Sequence, residues 1–435
     1  MHWATFWQPL VQQRYRSHLS SRRIVKFQNR VIRYYVGSGQ SRRSSVFLRS
    51  SSSGFDGLSS ALSKLESQWI ENSKVSSQKS NKNRWEKIIL DNFGDEGEEE
   101  RNDGSTYSKS EEQVVYLLTP PNNSTPSSIV LFLGGAVLGS YPHIAYSELL
   151  HRLSDKTNAA VLSVPYAVGI NHFDISKLCE KIFQKSIRYM DEKIYPQSSS
   201  KNSNNFSIID SLPVYALGHS LGCKLHLIRM AAVTNSWENL KGIGFISFNN
   251  YGLPQSVSMA KSFATKLNGA AQQQSSNDAI MDFFFDFVEQ ATQGIGLDFS
   301  PNPAETERII NIKFTSDLQE KCRMFKFDND ELDCTSRFIS SSPTSYTGTP
   351  TLSVLPGTHL TPVYLKFGVS DLPGTAQMFT GKLTDFRSAS FGDNEQLDIL
   401  VEELCDWMNG KPPRHSSLRQ TTPQLLSTGT NDKPA

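Results

Sequence analysis

A serine between two glycines, a later carboxylate and a still later histidine give this chain the parts of an acyl-transfer site. Gly218-His219-Ser220-Leu221-Gly222 follows the apolar run Leu212-Pro213-Val214-Tyr215-Ala216-Leu217 and precedes the helix-like Cys223-Lys224-Leu225-His226-Leu227-Ile228. A strand, a G-x-S-x-G turn and a helix form the context of a nucleophile elbow. Gly218 and Gly222 remove the Cβ atoms that would collide as strand reverses into helix. A serine hydroxyl is a weak nucleophile until a base takes its proton. That base is a histidine, held in the useful tautomer by a carboxylate.

The order Ser, acid, His is that of the α/β-hydrolase layout. The apolar stretch Met324-Phe325-Lys326-Phe327 leads into Asp328-Asn329-Asp330-Glu331-Leu332-Asp333. Asp330 sits where the carboxylate belongs, with Asp333 as the runner-up. Asp328 is read as a turn-former, because Asp there can bond its own backbone. Leu355-Pro356-Gly357-Thr358-His359-Leu360 places His359 in a tight loop after the last strand. His2 and His18 lie near the start and His415 near the end. His226 lies inside the helix after the elbow and reads as a core histidine. His143, His151 and His172 precede Ser220, and His143 and His172 are placed to line a pocket. His219 is the variable position of the elbow.

A tetrahedral intermediate needs N–H donors aimed at its oxyanion. Leu221 should supply one. The other should come from the loop after the strand at 129–133, at Gly135 or alternatively Ala136. Gly134-Gly135-Ala136-Val137-Leu138-Gly139 lacks the G-x-G-x-x-G spacing of a nucleotide-binding loop. No metal or organic cofactor is called for.

Positioning these groups requires a parallel sheet. Short apolar strands are expected at 114–118, 129–133, 159–164, 214–217, 242–248, 324–327 and 351–355. Helical stretches fall at 141–153, 174–193, 221–232, 304–310, 314–321 and 397–408. Alternation of fully apolar strands with amphipathic helices argues a sheet covered on both faces. The expectation is an α/β-hydrolase fold: a mostly parallel sheet, helices on both faces, and a helical cap inserted at about 253–310. Two helical pieces, 255–267 and 279–292, flank Gln272-Gln273-Gln274-Ser275-Ser276. The second carries Phe283, Phe284, Phe285 and Phe287. They could line an acyl pocket or form the core of a small subdomain. The full layout is then 1–55 a targeting segment, 56–110 peripheral helices and an acidic disordered loop, 111–410 the α/β domain, and 411–435 a disordered tail. Within 56–110, the stretches at 58–70 and 85–90 read as those peripheral helices or as an entry to the fold.

Bulk composition excludes several functions. The formal net charge over 435 residues is +1, which offers no global attraction to nucleic acid. No apolar run is long enough to cross a bilayer. Five widely spaced cysteines contain no CxxC pair, so they read as buried free thiols. Charge is uneven, however. Residues 1–55 hold ten Lys or Arg, no Asp or Glu, and eleven Ser. A basic, Ser-rich, acid-free start is the composition of a plastid or mitochondrial transit peptide.

Several blocks resemble the DUF1350 family. They are the elbow 218–226, Phe132-Leu133-Gly134-Gly135-Ala136, Val164-Pro165-Tyr166-Ala167 and Phe299-Ser300-Pro301-Asn302-Pro303-Ala304-Glu305-Thr306. The segment 326–333 and Leu355-Pro356-Gly357-Thr358-His359-Leu360-Thr361-Pro362 complete the set. The resemblance covers roughly residues 110–410. It implies an α/β-hydrolase-like protein of cyanobacteria or of plant and algal plastids, and favours the plastid, stromal or peripheral to a membrane, over the mitochondrion. It implies no substrate. The polar insertions at 196–206 and 268–277 look peculiar to this chain. The leading expectation is a serine hydrolase acting on an acyl ester or thioester, including lipid esters, with peripheral membrane contact through the cap. The alternatives are a non-catalytic α/β-hydrolase-like binding or assembly protein, and acyl transfer to an acceptor other than water.

Overall fold

The computed structural model describes residues 66–67, 69–70, 84–91, 93, 113–136, 138–196, 208–232, 239–256, 298–342, 350–368 and 388–414. The basic arm 1–55, the acidic stretch 94–100, the cap beyond residue 256 with its four phenylalanines, and the tail beyond 414 lie outside them. So does nearly all of the polar insertions at 196–206 and 268–277.

Eight strands form one sheet. They are β1 (Trp85–Ile89), β2 (Val114–Leu118), β3 (Ser128–Leu133), β4 (Ala159–Ser163), β5 (Val214–His219), β6 (Leu240–Ile246), β7 (Cys322–Phe327) and β8 (Thr351–Leu355). Their order across the sheet is β1-β2-β4-β3-β5-β6-β7-β8. β2 runs antiparallel to both neighbours, and every pairing from β4 to β8 is parallel. A second, two-stranded antiparallel sheet joins Leu365–Gly368 to Ser388–Phe391 and was not foreseen from the sequence.

Burial on both faces explains the near-continuous apolar strands. In β3, Val130 and Phe132 enter one core cluster. Ile129, Leu131 and Leu133 enter the other. The first face is covered by α1 (Ser147–Thr157) and the last long helix (Asn394–Met408), whose Leu397, Leu400, Val401 and Leu404 are fully buried. The opposite face carries α2 (His172–Tyr189), α3 (Leu221–Ala232) and α4 (Pro303–Lys313), packed side by side. α2 starts on Asn171, whose side chain accepts from the Phe173 and Asp174 amides. α4 starts on a capping box between Asn302 and Glu305. All five cysteines are free and buried.

The stretch 85–90 is strand, not helix. Trp85, Ile88 and Leu90 are buried, and the segment pairs along the free edge of β2 from Trp85↔Leu118 to Ile89↔Val114. Periodicity alone does not separate helix from strand in so short a run. The unmet hydrogen bonds of the β2 edge decide it. The sheet domain therefore begins by Trp85, not at 111. With its mixed, mostly parallel sheet, one antiparallel member and helices on both faces, the domain has α/β-hydrolase architecture.

Candidate active site

β5 ends in the middle of the sheet, and its last residue hands over to a turn under strain. Ser220 has φ +55°, a left-handed conformation rare for a residue with a side chain. The strain is held by hydrogen bonds on both sides. The Ser220 N–H donates to the Ile246 carbonyl at 3.0 Å, and the Cys223 N–H donates to the Ser220 carbonyl at 3.1 Å. A Cβ on Gly222 would lie 2.1 Å from the Leu133 carbonyl oxygen, and one on Gly218 would lie 2.7 Å from the Cys223 nitrogen. Both obstacles are backbone and cannot rotate away. Gly222→Ala is therefore expected to cost about 1–3 kcal/mol and to displace the turn. Urea unfolding and the rate of Ser220 labelling by a fluorophosphonate would measure the two effects. An unchanged midpoint would contradict the argument.

Three loops at the same sheet edge converge on this turn. The Ser220 Oγ lies 2.9 Å from His359 Nε2. His359 Nδ1 lies 2.9 Å from Asp330 Oδ2 and 3.1 Å from Asp330 Oδ1. A carboxylate only accepts, so Nδ1–H donates to Asp330 and Nε2 is left to accept from the serine. Asp330 is buried, which by itself raises its pKa. Hydrogen bonds from His359 and from the Leu332 amide outweigh burial and hold the carboxyl below its usual range. Asp333 does not reach the histidine. It accepts from the Thr335 amide at 3.0 Å and hydroxyl at 2.8 Å, and so holds the start of α5, counted here as the short helix Thr335–Ser341. Asp328 accepts from the Gly357 amide at 3.0 Å, which ties the acid loop to the histidine loop.

Of the two expected oxyanion donors, Leu221 is the first residue of α3, so its N–H has no carbonyl one turn back within the helix. Gly135 is a correction. Its single N–H donates to the Tyr146 hydroxyl at 2.8 Å and is spent there. Among the described residues nothing takes the N–H of Ala136, which lines the cavity beside Ser220. That leaves Ala136, the alternative raised from the sequence, as the remaining candidate for the second donor.

The Tyr146 contact opens a chain that sequence reasoning missed. Tyr146 Oη is 2.9 Å from His219 Nδ1, and His219 Nε2 is 2.9 Å from the His359 carbonyl. The carbonyl can only accept, so His219 carries its proton on Nε2 and its Nδ1 accepts a hydrogen bond from the Tyr146 hydroxyl. Every polarity in the run Gly135 N–H, Tyr146 O–H, His219 N–H, His359 C=O is then satisfied. Burial, with His359 nearby, drives the His219 imidazole down to about 3, and burial raises the Tyr146 phenol. Both stay neutral. Tyr166 adds a second brace, donating to the Gly134 carbonyl at 2.6 Å. His219 thus braces the loop of the base against the loop of the oxyanion donors. Tyr146→Phe is expected to slow labelling of Ser220 by roughly 10- to 100-fold, since it orphans two buried groups. Equal labelling rates at matched folding would refute the role.

The remaining histidines sort cleanly. His172 lines the cavity. His143 does not; it stacks on Tyr116 at 3.6 Å between centroids. His226 is a satisfied core residue, bonded to the Leu217 carbonyl and to Arg229. The cavity over Ser220 measures about 220 Å³. Its walls include Leu138, Val168, Leu221, Phe299 and Leu360. Among the described residues no cluster of His, Cys, Asp or Glu could hold a metal ion. Among the same residues, no helix is long and apolar enough to cross a membrane.

The family model described as "Protein of unknown function (DUF1350)" matches residues 111–371. The chain belongs to the DUF1350 family. The DUF1350 match spans Gly134–Ala136, Ser220, Asp330 and His359 alike. No curated protein matches the chain by sequence. Solved structures similar to it include the esterase domain of a Rhodothermus marinus protein, at 14% identity over 75% of this chain and 98% of that one, with a TM-score of 0.37. The siderophore hydrolase EstB from Aspergillus fumigatus aligns at 13% identity over 68% of this chain and 94% of its own, with a TM-score of 0.40. Dienelactone hydrolase from Anabaena variabilis aligns at 10% identity over 76% and 100%, with a TM-score of 0.35. Similarity at this level carries no substrate to the DUF1350 chain.

Proposed function

We propose that this protein is a serine hydrolase of acyl esters or thioesters, with Ser220 as nucleophile, His359 as base and Asp330 as its orienting carboxylate. The observation that carries the reading is the Ser220 hydroxyl, on a strained turn, 2.9 Å from His359 Nε2. As Ser220 Oγ attacks the carbonyl carbon, its proton passes to His359 Nε2, and Asp330 stabilises the imidazolium. The carbonyl oxygen becomes an oxyanion facing the Leu221 and Ala136 amides. Collapse breaks the bond to the leaving group, which takes the proton from His359. Water, deprotonated by His359, then attacks the acyl-serine; collapse breaks the bond to Ser220 Oγ, which takes the proton back from His359, and the acid is released. An apolar cavity wall suits the acyl portion. On this reading the basic, acid-free residues 1–55 act as a plastid transit peptide.

The test is a fluorophosphonate probe on the folded full chain, with the adduct located by peptide mass spectrometry. Labelling at Ser220, lost in Ser220→Ala and His359→Ala, supports the reading. Absence of labelling from neutral to mildly alkaline pH, with the probe shown to enter the cavity, would replace it by the binding-protein reading.

A further inference from the structure

The cavity that holds Ser220 also holds a lysine that makes no ion pair among the described residues. Lys224 sits on α3 four positions after Ser220, 1% exposed, and lines the cavity. Its Nζ donates to the Pro301 carbonyl at 2.8 Å and lies 5.7 Å from the centre of the Phe299 ring. An ammonium has three donors. Among the described residues no carboxylate pairs with this one. Asp298 and Glu305 act on it only through space, without a direct contact. Asp298 accepts from the Leu253 and Phe299 amides, and Glu305 closes the capping box of α4. Burial accordingly pulls the Lys224 ammonium down to about 7, against a partial lift from Asp298 and Glu305.

The same Phe299 ring also meets His172, the first residue of α2. It is 1% exposed, stacks on that ring at 4.6 Å between centroids, and has no hydrogen-bond partner on either nitrogen. Burial, reinforced by Lys224, keeps it neutral, with one N–H to donate. Among the described residues, a buried lysine with donors unspent and a buried imidazole with none spent thus line one cavity beside the same aromatic ring. Unpaired buried donors are costly, and a charge more so. A ligand carboxylate in this cavity would offer acceptors to both and give the lysine a directly bonded negative charge in a low-dielectric site.

We propose that the substrate carries a carboxylate, seated on Lys224 Nζ and His172, within a few bonds of the ester or thioester carbonyl attacked by Ser220. This deepens the hydrolase reading and rests on it for the position of the scissile bond. The competing role for Lys224 is a purely structural tether of the Pro301 loop.

The experiment compares 4-nitrophenyl hydrogen adipate with 4-nitrophenyl hexanoate, which match in chain length and differ in the terminal carboxylate. The full-length protein should prefer the half-ester in kcat/KM by about tenfold or more. In Lys224→Met the ratio of the two kcat/KM values should fall roughly 10- to 100-fold, the size of one charge-assisted hydrogen bond. A parent ratio at or below one, or a ratio unchanged in Lys224→Met, overturns the proposal and leaves the tether. A second measurement is independent of chemistry. Adipate, but not adipamide, should bind to Ser220→Ala by calorimetric titration, and should fail to bind when Lys224→Met is added. If neither ester turns over and Ser220 is not labelled, the nucleophile reading fails, and the titration alone decides the carboxylate site.

Discussion

Ser220→Ala and His359→Ala are each expected to lower ester turnover by about 10³- to 10⁶-fold, and the double variant to lower it no further. Non-additivity is the informative part. Ser220 and His359 share one proton across a 2.9 Å contact, so either loss disables the same step. Asp330→Asn should cost about 10²- to 10⁴-fold, because the carboxylate both selects the Nε2-accepting tautomer and stabilises the imidazolium. Asp333 provides the contrast. It spends its carboxylate on the Thr335 amide and hydroxyl. Asp333→Ala should lose about 1 kcal/mol of stability and keep turnover within a few-fold of the parent. Steady-state kinetics on whichever ester the parent accepts, beside urea unfolding of every variant, gives the comparison. Turnover by Ser220→Ala above a hundredth of the parent rate would dismiss the nucleophile.

Glu180→Ala is expected to destabilise the fold by about 3–5 kcal/mol without touching the cavity. Arg229 is 0% exposed and pairs with Glu180 at 2.7 Å, joining α3 to α2. It also donates to His226 Nδ1, and His226 Nε2–H donates to the Leu217 carbonyl just below the elbow. Removing Glu180 strands a guanidinium away from water. Replacing both partners with apolar residues, Glu180→Leu with Arg229→Met, removes the stranded charge as well and should recover most of the loss. Chemical denaturation of the single and double variants measures this. A burial-protected pair is little screened, so the effect should persist in high salt. A loss under about 1 kcal/mol in Glu180→Ala would show that water or another group compensates the arginine.

Much of the architecture was legible because its signals are local. The central strands are runs of residues buried on both faces, such as the SIVLFL of β3. The elbow was legible because only glycine tolerates the carbonyl that meets position 222. Asp330 and His359 were legible because each follows a strand whose end must lie at one sheet edge. β1 was not, since a five-residue run with burial only at Trp85 and Ile88 has no period of its own and becomes a strand by pairing with β2.

What the amino-acid sequence determined on its own, then, is the set of parallel strands with their covering helices and the three residues that the strand ends bring together. These follow from burial patterns and turn chemistry written in neighbouring positions. What only the tertiary structure decided is which groups finish the site. Gly135 gave way to Ala136 as a candidate donor because the Tyr146 hydroxyl, on a different segment, accepts the Gly135 N–H. His219 gained a role because a carbonyl 140 positions away accepts from it. Lys224 and His172 line one cavity because α2 and α3 pack side by side, and both side chains meet the Phe299 ring. Hydrogen bonds and charge pairing across such separations depend on angstrom-scale placement, which a residue's neighbours in the chain do not specify.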